Sequence, residues 1–166
     1  MSFSNSEIIE KLKKIPLFKN MTGRPEILQI LAAVLLPRKI QKGERIITEG
    51  AFGNEMYILF SGEINISKFT MEKEQFTVAI LNDSMNVFFG ELALVDEDKR
   101  SASVTAVTDC DLLVFTRERF FELGKTHNDI GWLLTVEIAS ILAQRLRKAN
   151  EEAVVLFETL VNELAS

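Results

Sequence analysis

The sequence predicts an α+β fold: an antiparallel, jelly-roll-like β-roll flanked by N-terminal helices and a long C-terminal helix. Apolar residues recur at helical spacing near both ends of the chain. Between these ends, short apolar runs alternate with turn signals roughly every 8–12 residues, which is typical of sandwiches, barrels and rolls. Because no repeat or flexible linker divides the chain, we expect one domain over 1–166, with helices over 6–36, the roll over 38–115 and helices over 117–165.

Two short helices are predicted before the roll. Ser6 is a candidate N-cap for an amphipathic helix over 6–15, which Pro16 ends because proline lacks the backbone N–H that a continuing helix needs. Thr22 is a candidate cap for the second helix, and Pro37 stops it. The apolar residues of both helices are expected to be buried.

Helices return after the roll. Thr116 is the predicted N-cap of a helix that reaches Gly124 and buries Phe120, Phe121 and Leu123. A long helix follows from about Ile130 to about Leu164, since this stretch contains no proline.

The composition is that of an ordinary folded domain, with 47% hydrophobic and 26% charged residues in a chain of 166. The net charge of −5 argues against nucleic acid as the main partner, because duplex binding needs a basic face, but it does not exclude a small anion. The N-terminus lacks the features of a signal peptide, and no apolar run approaches a membrane span of about 20 residues. A single cysteine, Cys110, fits a reducing compartment, so we expect a cytoplasmic protein without a membrane partner.

The segment 88–104 carries the residues with chemistry. Gly90 can adopt backbone dihedrals that other residues avoid, and Glu91 opens a short helix-prone run. Arg100 follows across an acidic loop and leads directly into a strand. An arginine suits a phosphate through paired charge-assisted hydrogen bonds, and a glutamate carboxylate accepts from a ribose hydroxyl. A glutamate and an arginine facing one turn therefore favour a sugar-phosphate ligand.

This segment resembles the phosphate-binding cassette of the cyclic-nucleotide-binding domain family, through Phe89-Gly90-Glu91-Leu92-Ala93-Leu94 and Arg100-Ser101-Ala102-Ser103-Val104. The upstream turns are similar to the first hairpins of that family's β-roll, namely Gly43-Glu44, Glu49-Gly50, Gly53-Asn54 and Ser61-Gly62. The resemblance extends from about Ile15 to Glu152. It implies a regulatory domain that binds cAMP or cGMP, with neither a metal nor catalytic activity.

By that resemblance, Glu91 accepts a hydrogen bond from the ribose 2′-OH, and Arg100 neutralises the exocyclic phosphate. The other positions that it implies are Gly90, Leu92, Ala93, Ser101 and Ala102 around the phosphate, and Ile66 and Val78 beside the base or ribose. Asn150, on the long helix, is a candidate reader of the base edge, since a side-chain amide both donates and accepts.

Two features of the segment bear on affinity and on the choice of base. Asn86 and Val87 stand where the family usually has glycine followed by an acidic residue; asparagine tolerates left-handed dihedrals, so the turn is expected to survive. Ser101 follows the arginine, as it often does in bacterial cAMP receptors, where cGMP-dependent kinases usually have threonine. We therefore expect cAMP in preference to cGMP.

Other interpretations stay open. Glu91 and Arg100 can form a plain salt bridge, or the chain can be a family member that has lost its ligand and serves as a dimerisation or adaptor module. A cupin-like metalloenzyme also has a β-roll, but such enzymes use several histidines, and this chain has only His127. Cys110 lacks a basic neighbour and no Gly-x-Ser-x-Gly elbow is present, so an enzyme is not expected.

The long C-terminal helix carries a stripe with alternating spacings of four and three, the pattern of a two-helix seam: Leu142, Leu146, Ala149, Ala153, Leu156 and Leu160. In bacterial members of the family the equivalent helix pairs in a parallel dimer, so we expect a homodimer; packing of the stripe on its own roll is the alternative. Val154, Val155, Phe157 and Val161 lie outside one seam and are expected to pack on this domain or on another partner. The sequence to Ser166 leaves no residues for a helix-turn-helix, kinase or channel, so we expect either a stand-alone sensor with a separate effector protein or a sensor excised from a longer chain.

Overall fold

A computed structural model of the chain describes residues 3–164. Residues 1, 2, 165 and 166 lie outside the described part, and with them the last position of the helical segment predicted over 117–165. The helical segments before the roll are α1 (Asn5–Leu12), a 3-10 helix (Pro16–Met21) and α2 (Pro25–Val34). After the roll come α4 (Arg117–Thr126) and α5 (Asn128–Leu164), and α3 (Leu92–Val95) lies within it.

Within residues 3–164, eight strands form two sheets of four. They are β1 (Leu36–Ile40), β2 (Arg45–Ile47), β3 (Glu55–Ser61), β4 (Glu63–Phe69), β5 (Gln75–Asn82), β6 (Phe88–Phe89), β7 (Ser103–Ala106) and β8 (Cys110–Thr116), with a 3-10 turn (Asp83–Met85) before β6. The strand orders are β1-β8-β3-β6 and β2-β7-β4-β5, and all neighbours are antiparallel. The predicted α+β fold, a roll between N-terminal helices and a long C-terminal helix, is confirmed.

Two apolar clusters fill the domain on either side of the first sheet. Successive side chains of a strand point to opposite faces, so β3 and β8 contribute to both clusters. Ile58 and Phe115 pack against the helices, and Tyr57 and Val114 face the inside of the roll. The inner cluster ends beside β6 and α3, and the functional segment lies at this end.

The first helix begins earlier than the sequence indicated. Ser4, and not Ser6, is its N-cap: the Ser4 hydroxyl accepts from the Glu7 N–H at 3.3 Å, and the Glu7 carboxylate accepts from the Ser4 N–H at 2.8 Å. This reciprocal pair satisfies two donors that a helix start leaves free, whereas Ser6 already lies inside the helix. The helix also ends at Leu12, before the predicted 15.

Thr22 was the wrong residue for the cap of α2. Its hydroxyl donates to the Lys19 carbonyl at 3.0 Å and thereby closes the preceding 3-10 helix. Arg24 occupies the N-cap position without a side-chain capping bond, and Pro25 follows at the first helical position. A proline costs nothing there, because the first N–H groups of a helix have no partner inside the helix.

The predicted cap of α4 is confirmed, since the Thr116 hydroxyl accepts from the Arg119 N–H at 3.3 Å. Phe120 and Leu123 are buried, as expected. Phe121 was predicted to be buried but is 47% exposed; its ring lies edge-on against Phe120.

The long helix has two parts with different surroundings. Its beginning packs on the domain through Ile130, Leu134 and Ile138, which are buried. Every residue from 144 to 164 is exposed. Of the two expectations for the apolar residues outside the seam, packing on their own domain was wrong, because the helix leaves the domain surface before it reaches Val154, Val155, Phe157 and Val161. Packing on another partner stays a prediction.

The contact between α4 and α5 depends on two glycines that face each other. A Cβ atom on Gly131 would lie 2.6 Å from the Cα of Gly124, where backbone cannot yield as a side chain can. We expect Gly131→Ala to lower the free energy of unfolding by about 1–3 kcal/mol, the usual range for overpacking. Urea unfolding followed by circular dichroism measures it. Gly23→Ala is the matched control, since nothing lies within 4 Å of a Cβ there; equal midpoints in the two variants would contradict the prediction.

Candidate functional site

A cavity of about 460 Å³ opens inside the roll beside α3. This volume lies within the range of about 300–1,000 Å³ that is usual for small-molecule sites. Apolar residues of the strands, among them Ile66 and Val104, line part of it. The charged residues of its lining are Glu91, Asp96, Asp98, Lys99, Arg100 and Arg145. The cavity thus combines an apolar wall with convergent charged groups.

Gly90 permits the backbone to approach the cavity closely. Its φ of +77° lies in the left-handed region, which strains residues with a side chain. A Cβ atom there would lie 2.9 Å from Nη1 of Arg100 and 3.1 Å from the Glu55 carbonyl oxygen. The Gly90 carbonyl accepts from the Ala93 N–H at 3.1 Å, which starts the turn into α3. Both space and dihedral angle therefore require glycine at this position.

The guanidinium of Arg100 is held by backbone carbonyls. Its Nη2 donates to the Glu55 carbonyl at 2.7 Å, and its Nη1 donates to the Gly90 carbonyl at 3.2 Å. A Cβ atom on Gly53 would lie 2.5 Å from its Nε, so two glycines enclose the group. Among residues 3–164, no carboxylate forms an ion pair with it. Burial lowers the pKa of Arg100 from its ordinary value, as expected for a cation without a full counter-charge.

Glu91 is the buried carboxylate of the cavity, with 3% of its surface exposed. Its partner is Arg145 of α5, whose Nη1 donates to Oε1 of Glu91. Arg145 itself is about half exposed. A buried carboxylate is costly without a partner, so this ion pair ties the long helix to the mouth of the cavity.

A cluster of charged and polar side chains adjoins Arg100 through Glu55, whose carbonyl accepts from the guanidinium. Arg38 forms a bidentate pair with Glu55, with N–O distances of 2.6 and 2.8 Å, and the Tyr57 hydroxyl donates to the same carboxylate at 2.6 Å. We call these three residues the Arg38–Glu55–Tyr57 cluster. The bond from Arg38 lowers the pKa of Glu55, while burial and the bond to Glu55 raise the pKa of Tyr57 to about 12.

Most of the residues predicted from the sequence line this one cavity: Ile66, Gly90, Glu91, Leu92, Ala93, Arg100, Ser101 and Ala102. Val78 and Asn150 do not line it. Val78 lies at an irregularity in the pairing of β4 with β5 and is 52% exposed. Asn150 is exposed on the part of α5 that has left the domain.

Arg145 is one of the cavity residues that sequence reasoning missed, and it is the one that pairs with Glu91. It stands in the short basic run Arg145-Leu146-Arg147-Lys148, which gave no reason to choose one cation over the others. Only the path of α5 across the roll brings this position to Glu91, 54 residues away in the chain.

The turn conformation that was predicted at Asn86 is also present. Asn86 has a φ of +53°, the left-handed conformation that was expected of it. Cys110 lies buried at the start of β8, where burial raises the pKa of its thiol.

Within residues 3–164, no group of three or more histidine, cysteine or acidic side chains is arranged to hold a metal ion. Over the same residues, no helix is both long and apolar enough to cross a membrane.

The fold and the cavity together describe a β-roll with a charged pocket of a size suited to a small ligand, and comparison with known proteins gives its family. The cyclic nucleotide-binding domain family matches residues 37–127, more than half of the chain. The chain belongs to this family.

Two similar proteins and one similar structure illustrate the range of the family. The chain is 32% identical to the cyclic AMP receptor protein of Thermus thermophilus over 93% of its own length and 68% of that protein. It is 35% identical to a cAMP-dependent protein kinase regulatory subunit of Aspergillus fumigatus over 72% of its length, but it spans only 27% of that subunit. The crystal structure of the Thermus thermophilus catabolite activator protein superposes with a TM-score of 0.75 at 31% identity, covering 85% of this chain and 62% of that one. These relatives are regulatory proteins by name.

Tyr57 offers a direct test of the cluster, because it is the only tyrosine in the chain. We expect its phenol to ionise near pH 12 in the folded protein, two units above the ordinary value of 10.0. The neutral phenol of Tyr57 contributes to the free energy of unfolding. This contribution is fully present below pH 10 and is lost as the pH rises towards 12. Ultraviolet absorbance of the phenolate against pH measures it, with the urea-unfolded chain as reference. A midpoint near 10 in the folded protein would contradict the burial and bonding described for Tyr57.

Proposed function

We propose that this domain is a cAMP sensor whose long helix reports whether the cavity is occupied. The observation that carries the proposal is the half-buried Arg100, a cation that has two carbonyl partners but no carboxylate partner within the described residues 3–164. A phosphate would supply the missing charge and accept paired hydrogen bonds from the guanidinium. The family to which the chain belongs is consistent with a cyclic nucleotide as the source of that phosphate.

In the proposed complex Arg100 binds the exocyclic phosphate, and Glu91 accepts from the ribose 2′-OH. Gly90 leaves room for the phosphate, and Ser101 and Ala102 line the same edge. The amide of Leu92 is available as a donor, whereas that of Ala93 already donates to the Gly90 carbonyl. Ile66 supports the base or ribose from the apolar side, where it lines the cavity.

Preference for cAMP over cGMP is a further part of the proposal. The relatives named above are a cyclic AMP receptor and the regulatory subunit of a cAMP-dependent kinase. Ser101 follows the cassette arginine, where threonine is usual in cGMP-dependent kinases. Because a cGMP-dependent kinase is also 30% identical over 72% of the chain, cAMP and cGMP must be compared directly.

Transmission begins at the pair between Glu91 and Arg145. The carboxylate that we assign to the ribose is bonded to α5 in this state. A ribose hydroxyl that competes for Glu91 would weaken the hold of Arg145, and ligand binding would shift the long helix by this difference in contacts. The released helix would then change the dimer geometry or the access of a separate effector protein.

The exposed half of α5 is the proposed dimer interface. Leu146, Leu156 and Leu160 of the seam are 62%, 62% and 49% exposed, although large apolar side chains are normally covered. A second copy, aligned in parallel, would cover them with the same residues because the heptad seam is self-complementary.

Isothermal titration with cAMP, cGMP and a cyclic dinucleotide tests the ligand. We expect cAMP to bind more tightly than the other two. Arg100→Ala should weaken binding by on the order of 2–5 kcal/mol, because it leaves a desolvated phosphate without its cation. Arg147→Ala, at an exposed position outside the cavity, should bind as the wild type does. Equal affinity in the Arg100→Ala variant and the wild type would contradict the site.

The same titration on Arg145→Gln examines the competition for Glu91. Removing the guanidinium should tighten cAMP binding several-fold, since the ribose hydroxyl no longer displaces a charged partner. Unchanged or weaker binding would mean that Arg145 does not oppose the ligand.

Two other functions make different predictions for these experiments. A ligand-free dimerisation or adaptor module would show no thermal stabilisation by any cyclic nucleotide, whereas a ligand that binds the native state must raise its stability. A cupin-like metalloenzyme would take up metal in a titration, and the described residues contain no cluster suited to that role.

Sedimentation velocity tests the dimer. We expect the wild type to sediment as a dimer at micromolar concentration and Leu156→Lys to sediment as a monomer, because a charge in the seam lacks a partner. Glu158→Lys introduces the same side chain two positions away, outside the seam, and should leave the dimer intact. A monomeric wild type, or equal dissociation of both variants, would contradict this interface.

A further inference from the structure

The Arg38–Glu55–Tyr57 cluster has no part in the proposed ligand contacts, yet it adjoins Arg100. Arg38 lies on β1 and reaches past β8 to Glu55 on β3, where it forms the bidentate pair. The Tyr57 hydroxyl gives the same carboxylate a third hydrogen bond. Bidentate pairs fix the orientation of a carboxylate as well as its position. The Glu55 side chain is therefore held from two directions.

Glu55 connects this cluster to Arg100 through its backbone. Its carbonyl oxygen accepts from Nη2 of Arg100 at 2.7 Å, the shorter of the two bonds that hold the guanidinium. The carboxylate and the carbonyl belong to one residue, so restraint of the side chain limits rotation of the carbonyl.

A second connection runs through Tyr57. Its ring stacks on Phe89, with the centroids 5.2 Å apart and the planes 21° from parallel. Phe89 immediately precedes Gly90, whose carbonyl accepts the other bond from Arg100. The cluster therefore contacts the chain at both carbonyls that accept hydrogen bonds from the guanidinium of Arg100.

We propose that Arg38 and Tyr57 are positioning residues for Arg100. They hold the Glu55 and Gly90 carbonyls at the spacing that presents the guanidinium to the cavity, and so set the affinity for the phosphate of a bound nucleotide. The inference rests on the proposed function, since nucleotide affinity is its consequence, but it concerns residues that do not touch the ligand.

A purely structural role for the cluster would have a different signature. The pair between Arg38 and Glu55 joins two strands that are not neighbours, so it also contributes to the stability of the first sheet. Loss of that contribution would lower the unfolding midpoint whatever residue occupies position 100. A positioning role is instead visible in nucleotide affinity and depends on the presence of Arg100.

A double-mutant cycle separates the two roles. Isothermal titration with cAMP is performed on the wild type, Arg38→Gln, Tyr57→Phe, Arg100→Lys and the doubles that combine each cluster variant with Arg100→Lys. Lysine retains a cation but loses the planar fork, so weakened binding remains measurable. Tyr57→Phe removes one hydroxyl and keeps the ring, and it serves where Arg38→Gln fails to fold. Arg147→Gln is the matched arginine control.

We expect Arg38→Gln to weaken cAMP binding about tenfold and Tyr57→Phe about threefold, the range for a misaligned charge-assisted hydrogen bond. In the Arg100→Lys background the same changes should alter affinity less than twofold. Wild-type affinity in both cluster variants, or an equal loss in the two backgrounds, would overturn the inference while the proposed function stands. A wild type that binds no cyclic nucleotide would overturn both.

Discussion

The rest of the site depends on one half-buried cation, Arg100. The roll partly shields Arg100 from water. Its guanidinium donates to two backbone carbonyls, and no carboxylate of the described residues forms an ion pair with it. Carbonyl dipoles orient a guanidinium, but they do not neutralise its charge. The residues around Arg100 make room for the guanidinium and orient it. Gly53 and Gly90 leave space beside it, and Glu55 provides one of the two carbonyls. The two carbonyls make the burial of the guanidinium tolerable in the folded protein, and its remaining positive charge still favours an anion.

Glu91 places an opposite charge in the same cavity without cancelling the first. Its carboxylate is bonded to Arg145 of α5 and not to Arg100, so Glu91 and Arg100 have separate partners. This separation lets one ligand with both a phosphate and a hydroxyl engage both groups. Because the partners of Arg100 lie in the cavity wall and the partner of Glu91 lies on a helix, the proposed ligand contacts would couple binding to helix position.

The long helix joins two environments with different physical requirements. Its start is anchored by buried residues such as Leu134 and by the close contact between Gly124 and Gly131. Its last 21 residues, from 144 to 164, are exposed in this chain, although they include many large apolar side chains. A helix that is packed at one end and exposes apolar side chains at the other has the form that the proposed transmission from Arg145 to a partner requires.

Local chemistry explains which predictions succeeded. The glycine at 90, the cap at Thr116 and the left-handed Asn86 depend on a few neighbouring residues, and the sequence was sufficient for each. Ser6 and Thr22 failed as caps because several nearby hydroxyls compete for a helix start, and the choice depends on how the chain enters the turn.

The residues of the cavity also fall into those that local sequence predicts and those that only distant contacts bring there. From sequence alone came the α+β roll and the convergence of Glu91 with Arg100, because both lie on one short segment whose turn brings them together. Only the tertiary structure decided that Arg145 pairs with Glu91, that Arg38 pairs with Glu55 on a strand that is not its neighbour, and that Asn150 stays away from the cavity. Such contacts depend on where a long helix leaves the domain and how strands align across a sheet, and these are properties of the packed chain as a whole.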